Sequence, residues 1–136
     1  MGRIVALDFG LKRTGIAMTD ELQIIASPLT TVDSAELMVF LKDLILKNQV
    51  DTIVLGEPKR LNNQDTHITQ NVYLLKEALE KEFPFQKIEL VDERFTSKMA
   101  MQSMIDGGLK KKQRQEKGVL DSVSATIILQ SYMNQR

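Results

Sequence analysis

Acidic residues occur at three places in the sequence where a compact fold could bring their carboxylates together. Two of these places directly follow short apolar runs of strand length, and the third lies in a helical segment near the C-terminus; they are Asp8, the pair Asp92 and Glu93, and Asp121. Magnesium takes oxygen ligands and usually keeps several of its waters. Three acids on separate elements therefore predict a site for Mg²⁺ or Mn²⁺.

The first of these acids, Asp8, ends the apolar run of residues 4–7, which is typical of a central strand covered on both faces. Gly10 and Gly15 bracket a basic turn, so the chain can reverse tightly and resume as an antiparallel strand over residues 16–19. An aspartate in this position also has a purely structural interpretation, as a turn residue bonded to its own backbone. The pattern alone leaves these two interpretations of Asp8 equally open.

Basic residues that could hold phosphate groups are the second chemical feature of the sequence. Most of them fall in residues 109–117, a segment without apolar periodicity that we interpret as a mobile loop. The basic residues of this segment are Lys110, Lys111, Lys112, Arg114 and Lys117. Lys12 and Arg13 lie in the first turn, and Arg94 directly follows Glu93. A run of like charge is usually a solvated face, but it is also the kind of segment that neutralises phosphates.

Length and composition limit the classes of protein that the chain can belong to. A chain of 136 residues with 43% hydrophobic content predicts one domain spanning residues 1–136. It has no cysteine, which excludes disulfides and thiolate zinc sites, and no apolar stretch approaches the ~20 residues of a membrane span. The N-terminus lacks the apolar core of a signal peptide. We therefore expect a soluble, cytoplasmic protein without a membrane partner.

The formal net charge is zero, so affinity for nucleic acid must come from a local basic patch rather than from the field of the whole molecule.

The single histidine, His67, is interpreted as a surface residue in the first turn of a helix rather than as a catalytic residue. A serine nucleophile is also disfavoured, because that histidine has no evident serine partner.

Strand and helix patterns alternate along the rest of the chain. A third strand over residues 22–29 would complete an antiparallel meander, with Pro28 indicating an edge position. Asp33 is predicted to cap a helix that runs through Lys47, with Glu36 in the capping-box position. The predicted elements that follow are a buried strand (52–55), a helix from Asp65 or Thr66 to Glu82, a strand (87–92), a short helix from Thr96 to the glycines at 107 and 108, and a closing helix (119–133). The strand, helix, strand crossover implies a parallel pair.

Four motifs along the chain resemble those of the YqgF family, also called RuvX, of Holliday-junction resolvases and pre-16S ribosomal RNA nucleases. They are DFGLKRTGIAMTD, VLGEP, VDERFTS and KGVLDSVSATIILQSY, in this order and spacing, and the resemblance covers nearly the whole chain. It implies an α/β, ribonuclease H-like fold: a five-stranded mixed sheet flanked by helices, with three antiparallel strands and the fourth strand parallel beside the first. It also implies that Asp8, one acid of the pair at 92 and 93, and Asp121 converge on one metal site.

The segment after the fourth strand departs from the family pattern. Family members usually have Gly-Leu-Pro there and a glycine in the loop that follows, whereas this chain has Glu57 in place of the apolar residue and no glycine in residues 59–66. Because the fourth strand should neighbour the first, Glu57 could join the acidic site. The family does not require an acid there, so we expect Glu57 to be exposed to solvent.

The mechanism that these residues predict is metal-assisted hydrolysis of a phosphodiester bond. Asp8 would bridge two metal ions, while Glu93 and Asp121 would each anchor one. Glu93 is favoured over Asp92 because successive strand residues point to opposite faces and the longer side chain reaches further. The basic residues named above would hold the phosphate backbone.

Several alternatives for substrate and class remain open in the sequence. The substrate is expected to be the 5′ end of precursor 16S ribosomal RNA, with four-way DNA as the alternative, and the ribosome is a possible partner. A non-catalytic RNA-binding or ribosome-assembly module would retain the same fold. A phosphotransferase of the actin and sugar-kinase type shares the first turn, but those enzymes close two lobes around a nucleotide, and this chain has one. We expect a monomer or a weak homodimer.

Overall fold

The computed structural model describes residues 2–57, 67–92 and 117–135 of the chain. Within these residues the side chains at 67–69, 92, 117–121 and 135 are left undescribed. The elements are β1 (Arg3–Phe9), β2 (Arg13–Thr19), β3 (Ala26–Asp33), α1 (Leu37–Lys47), β4 (Val50–Glu57), α2 (His67–Glu82), β5 (Lys87–Asp92) and α3 (Lys117–Gln135), with a 3₁₀ turn at Ser34–Glu36 before α1. The short helix predicted from Thr96 lies outside the described residues.

The five strands form one mixed sheet in the order β3-β2-β1-β4-β5. β1 pairs antiparallel with β2, and β2 pairs antiparallel with β3, which confirms the predicted meander. β4 lies parallel beside β1, and β5 lies parallel beside β4. The ribonuclease H-like sheet and the edge position of the strand that contains Pro28 are both confirmed.

The third strand begins later than predicted, at Ala26 rather than at residue 22. The carboxylate of Asp20 accepts hydrogen bonds from the backbone N–H groups of Leu22 at 3.3 Å, Ile24 at 2.8 Å and Ile25 at 2.8 Å. Because these bonds hold the apolar residues in a compact loop, their N–H groups are not available for a strand ladder. The prediction over residues 22–25 was therefore wrong, although the residue types favour a strand.

The predicted helix cap at Asp33 was also wrong. Asp33 is the last residue of β3, where it pairs with Arg13 of β2, and its side chain makes no capping hydrogen bond. A 3₁₀ turn follows, and the α-helix begins only at Leu37. The extended backbone that pairing with β2 imposes on Asp33 extends the strand through the position at which the sequence pattern predicts a cap.

Two apolar layers cover the two faces of the sheet. On one face, Val5 and Leu7 of β1 pack with the buried stripe of α1 and with Val72 and Leu79 of α2. On the other face, α3 covers the sheet through a second cluster: Ile4, Ala6, Ala17, Val54, Val91, Ala125, Ile128 and Leu129. Alternate residues of β1 therefore belong to opposite layers, as strand geometry requires. None of the helices in the described ranges is long and apolar enough to cross a membrane.

Candidate active site

Asp8 lies within β1, on the face of the sheet that α3 covers. Its neighbours of the same parity, Ile4 and Ala6, pack into the α3 layer, whereas Val5 and Leu7 pack into the opposite layer. Asp8 is half-buried and lies near the carboxyl end of its strand. In α/β sheets, this end of the strands is where ligands bind.

Glycines occupy the positions beside Asp8 on both adjacent strands. Gly15 of β2 pairs directly with Asp8. On β4 the last paired residue is Leu55, opposite Leu7, so Gly56 and Asp8 are the next residues along the two parallel strands. A glycine within a strand often marks a site where another group approaches closely. Asp8 thus has no side chain directly beside it on either of the two adjacent strands.

Sequence reasoning missed the role of these two glycines, because Gly15 was assigned to the turn and Gly56 to the end of a strand. The available signal was that each glycine adjoins an apolar strand pattern without a proline or a second turn residue beside it, as in Gly15-Ile16-Ala17. Which residue each glycine neighbours could not be read from the pattern, since it depends on register across strands.

Arg13 lies on the same face of the sheet as Asp8. It is two residues before Gly15 on β2, so it occupies a position diagonal to Asp8. Diagonal cross-strand neighbours are about 7–8 Å apart, which is within reach of a long side chain. Lys12 precedes Arg13 in the turn and is exposed to solvent. The register of β1 and β2 therefore places the basic turn close to Asp8.

The turn that carries these two cations is closed by backbone hydrogen bonds. The N–H of Gly10 donates to the carbonyl of Arg13 at 3.0 Å, and the N–H of Ser34 donates to the carbonyl of Lys12 at 2.9 Å. A Cβ atom at residue 10 would lie 2.7 Å from the Arg13 carbonyl oxygen. Only glycine fits this close approach, so the sequence dictates the tight turn at this point.

Asp121 is the fifth residue of α3, and Lys117 is the first. The helical stripe that continues from Asp121 contains Ser124, Ala125 and Ile128, and these three residues are buried. α3 packs across β2, β3 and β1. The side chains of Asp121 and Lys117 lie outside the described part of the structure, so the predicted roles of these residues remain predictions.

The other predicted site residues also lie outside the described residues. They are Glu93, Arg94, Lys110, Lys111, Lys112 and Arg114. Asp92 is described only as the last residue of β5, where it pairs with Glu57 of β4. His67 is the first residue of α2, so the predicted helix start is correct to within two residues.

Glu57 occupies the opposite face of the sheet from Asp8. Along β4, Ile53 and Leu55 pack into the layer of α1 and α2, and Glu57 follows with the same parity, whereas Val54 packs into the α3 layer. Glu57 was expected to be exposed to solvent, and the structure shows it half-buried. Its parity nevertheless argues against the alternative in which it joins Asp8 as a ligand.

Comparison with solved structures supports the ribonuclease H-like fold. The Thermus thermophilus RuvC, solved in complex with a Holliday junction substrate, superposes with a TM-score of 0.60 at 13% sequence identity, covering 99% of this chain and 96% of that one. At that identity the likeness is one of fold. The sheet order and the acid at the end of the central strand thus define a ribonuclease H-like domain.

Sequence comparison then specifies the family. The family model described as "RuvX: Holliday junction resolvase" matches residues 2–135. A Flavobacterium psychrophilum protein is 52% identical over 136 residues, covering 100% of this chain and 99% of its own, and a Phocaeicola vulgatus protein is 50% identical over 136 residues, covering 100% and 98%; each is named "Putative pre-16S rRNA nuclease". The chain belongs to the RuvX family.

Proposed function

We propose that this protein is a metal-dependent endonuclease that hydrolyses phosphodiester bonds at the 5′ end of precursor 16S ribosomal RNA. The observation that carries the proposal is the setting of Asp8, a half-buried carboxylate between two glycine positions on the face that α3 covers. The names of the relatives at about 50% identity support the RNA substrate. The proposal further assigns the protein to the cytoplasm, with the assembling ribosome as a partner.

The residues present suit a hard divalent cation. Asp8, Glu93 and Asp121 offer only carboxylate oxygens, which is the donor set that Mg²⁺ and Mn²⁺ prefer. Gly15, and Gly56 at the next position of β4, place no side chain directly beside Asp8 on the two adjacent strands. A cation held there would supply Lewis-acid activation of water and of the phosphoryl oxygen.

The chain's own residues then have separate tasks. Asp8 orients the reacting groups from the centre of the sheet, where its strand is paired on both sides and resists displacement. Lys12 and Arg13, on the turn beside it, bind the phosphate backbone of the substrate. Arg94 and the basic residues at 110, 111, 112, 114 and 117 extend this contact along the strand. A positively charged track of this kind holds nucleic acid largely without regard to sequence.

Cleavage assays on a panel of substrates test the proposal directly. The panel contains RNA that spans the 5′ end of 16S ribosomal RNA, a four-way DNA junction and linear duplex DNA, each with Mg²⁺ or with EDTA. We expect metal-dependent cleavage of the RNA, and a loss of more than about 100-fold in Asp8→Asn because a ligand is removed. Asp51→Asn is the matched control, because Asp51 lies near the start of β4, at the opposite end of the sheet, where its carboxylate accepts the Gly2 N–H at 2.7 Å.

Two outcomes would redirect the proposal. Cleavage of the junction without cleavage of the RNA would identify a resolvase, in line with the description of the family model. Binding of the RNA with no cleavage in any metal would identify a non-catalytic ribosome-assembly module.

A further inference from the structure

A single serine bridges the two sides of the basic turn. Ser34 follows β3, and its hydroxyl donates to the carbonyl of Gly10 at 2.5 Å. Its backbone N–H donates to the carbonyl of Lys12 at 2.9 Å. The turn between β1 and β2 is thus tied at both ends to a residue that follows the third strand of the sheet.

The hydrogen-bond directions in this cluster follow from the number of protons. The Ser34 hydroxyl has one hydrogen, and the Gly10 carbonyl can only accept it. The Thr14 hydroxyl, 2.9 Å from the Ser34 oxygen, must therefore be the donor in that contact. Thr14 is fully buried, so its donor needs this partner.

These bonds add to the backbone hydrogen bond from the Gly10 N–H to the Arg13 carbonyl in holding the turn in one conformation. Leu11 is 62% exposed and Lys12 is exposed, so side-chain packing contributes little at the tip. Ser34, in contrast, is anchored by the pairing of Asp33 with Arg13 just before it and by the buried Leu37 just after it. Ser34 thereby transmits the rigidity of the sheet and of α1 to an exposed, cationic turn.

We infer that Ser34 is a positioning residue for nucleic acid: its hydroxyl and N–H hold Lys12 and Arg13 in the arrangement that contacts the phosphate backbone beside Asp8. This inference rests on the proposed function, because it assigns these two cations to substrate. The turn is already ordered in the folded protein, so the entropy cost of ordering it does not oppose the binding of nucleic acid. Thr14 has the supporting role of fixing the Ser34 hydroxyl toward Gly10.

The test compares Ser34→Ala with Ser27→Ala, a matched change near the start of β3, the strand that Ser34 follows. One phosphate contact makes the affinity for nucleic acid roughly 5- to 8-fold higher at 0.1 M salt than at 1 M salt. We expect Ser34→Ala to raise the Kd for RNA by about that factor in EDTA and to make the slope of log Kd against log salt shallower by about 0.7 to 0.9. At saturating RNA with Mg²⁺, kcat should stay within about twofold of the parent, and Ser27→Ala should match the parent throughout.

A double-mutant cycle separates positioning from loss of stability. If Ser34 acts through Lys12 and Arg13, adding Ser34→Ala to a variant that already carries Lys12→Ala and Arg13→Ala should weaken RNA binding no further. Ser34→Thr, which keeps the hydroxyl and the N–H, should restore binding. Exchange of the Gly10 amide proton, measured by NMR well below the melting temperature, should be faster in Ser34→Ala than in the parent.

The inference fails alone if Lys12→Ala weakens binding while Ser34→Ala, folded by the same melting criterion, binds like the parent. It also fails if Ser34→Ala weakens binding further in the variant that already carries Lys12→Ala and Arg13→Ala. If the parent protein binds none of the nucleic acids, the proposed function fails and the inference with it. The response of Lys12→Ala therefore distinguishes the two failures.

Discussion

Asp8 combines a central position with a cost in stability. Its carboxylate is half-buried, and the proposed site brings two further carboxylates toward it. A like charge nearby disfavours the ionised form, so without metal these groups oppose folding. Functional sites commonly carry such a penalty. The same residue would thus be unfavourable for the empty protein and essential for the loaded one.

Replacing Asp8 by asparagine therefore has two expected effects on thermal unfolding. The metal-free variant should be as stable as the parent or slightly more stable, because one charge of the cluster is removed. Mg²⁺ at about 100 times its Kd should stabilise the parent by about 2.7 kcal/mol and the variant hardly at all. Asp121→Asn should respond in the same way. Its metal-free form should gain slightly less stability, because a favourable negative charge near the N-terminus of α3 is lost. A destabilisation of several kcal/mol with the metal response intact would instead make Asp8 a structural turn residue.

Asp20 is an acid with a structural role, at the far end of β2 from Arg13. Three backbone N–H groups donate to its carboxylate, and the bond from Ile25 contributes most to holding the pKa of Asp20 below its ordinary value of 3.8. A carboxyl whose pKa is lowered on folding adds stability above its unfolded pKa of about 3.9, and this stability is lost as the pH falls toward the folded value.

Asp20→Ala should therefore be less stable than the parent at neutral pH, and the gap should narrow in acid. Urea unfolding at a series of pH values from neutral into acid would measure this difference in stability, because protonation removes the charge of the parent's own carboxyl. A gap that does not change over this range would show that the hydrogen bonds to Asp20 do not depend on its charge.

At the scale of single elements, the alternation of residues along β5 bears on which acid of the pair is the proposed ligand. Ile88 and Leu90 pack against the layer of α1 and α2, whereas Val91 packs into the α3 layer with Ala6. If this alternation continues for two more residues, position 93 falls on the face that carries Asp8, and position 92 does not. The register of β5 therefore supports Glu93 as the ligand.

Glu93→Gln should accordingly abolish cleavage and reduce the metal-induced rise in melting temperature. Asp92→Asn should keep its cleavage rate within about tenfold of the parent and its metal-induced rise in melting temperature within a few degrees. Removing a ligand typically costs more than the loss of about 10- to 100-fold that follows removal of a ligand's hydrogen-bonding partner. Both variants change one acid to its amide, so each is the control for the other. The opposite result, an inactive Asp92→Asn beside an active Glu93→Gln, would reverse the assignment.

At the scale of the whole molecule, the balance of charge determines how nucleic acid can bind. The chain has 18 basic and 18 acidic residues, so no net field attracts a polyanion. Several cations on α1 and α2 are engaged with acids in ion pairs, as Lys42 is with Glu82 at 2.8 Å and Lys47 with Asp43 at 3.2 Å. If the protein binds nucleic acid as proposed, the attraction must come from local cations such as the exposed Lys12.

Replacing Lys110, Lys111 and Lys112 together by alanine should weaken binding of RNA and DNA with little sequence preference. The slope of log affinity against log salt should become shallower by about 0.7 to 0.9 for each phosphate that the protein no longer neutralises. Lys42→Ala with Lys47→Ala and Lys81→Ala is a charge-matched control on the helical face of α1 and α2, and it should leave the slope unchanged. Equal salt dependence in the basic-segment variant and the parent would make that segment a solvated connection.

The sequence by itself determined the elements and their order, because local periodicity and turn residues act over a few positions. The apolar run before Asp8, the apolar stripe of α1 and the strand Lys87–Asp92 were all predictable in this way. The family motifs then determined the sheet order, and the order found is β3-β2-β1-β4-β5.

Only the tertiary structure decided which residues meet, because register and sheet face depend on partners distant in the chain. Pairing of β1 with β2 and β4 brings Gly15 and Gly56 beside Asp8, and alternation along β4 turns Glu57 to the opposite layer. Pairing of β3 with β2 includes Asp33 in the strand and brings Ser34 to the basic turn. A shift of one residue in any of these ladders would exchange the faces, and no local pattern in the sequence specifies that shift.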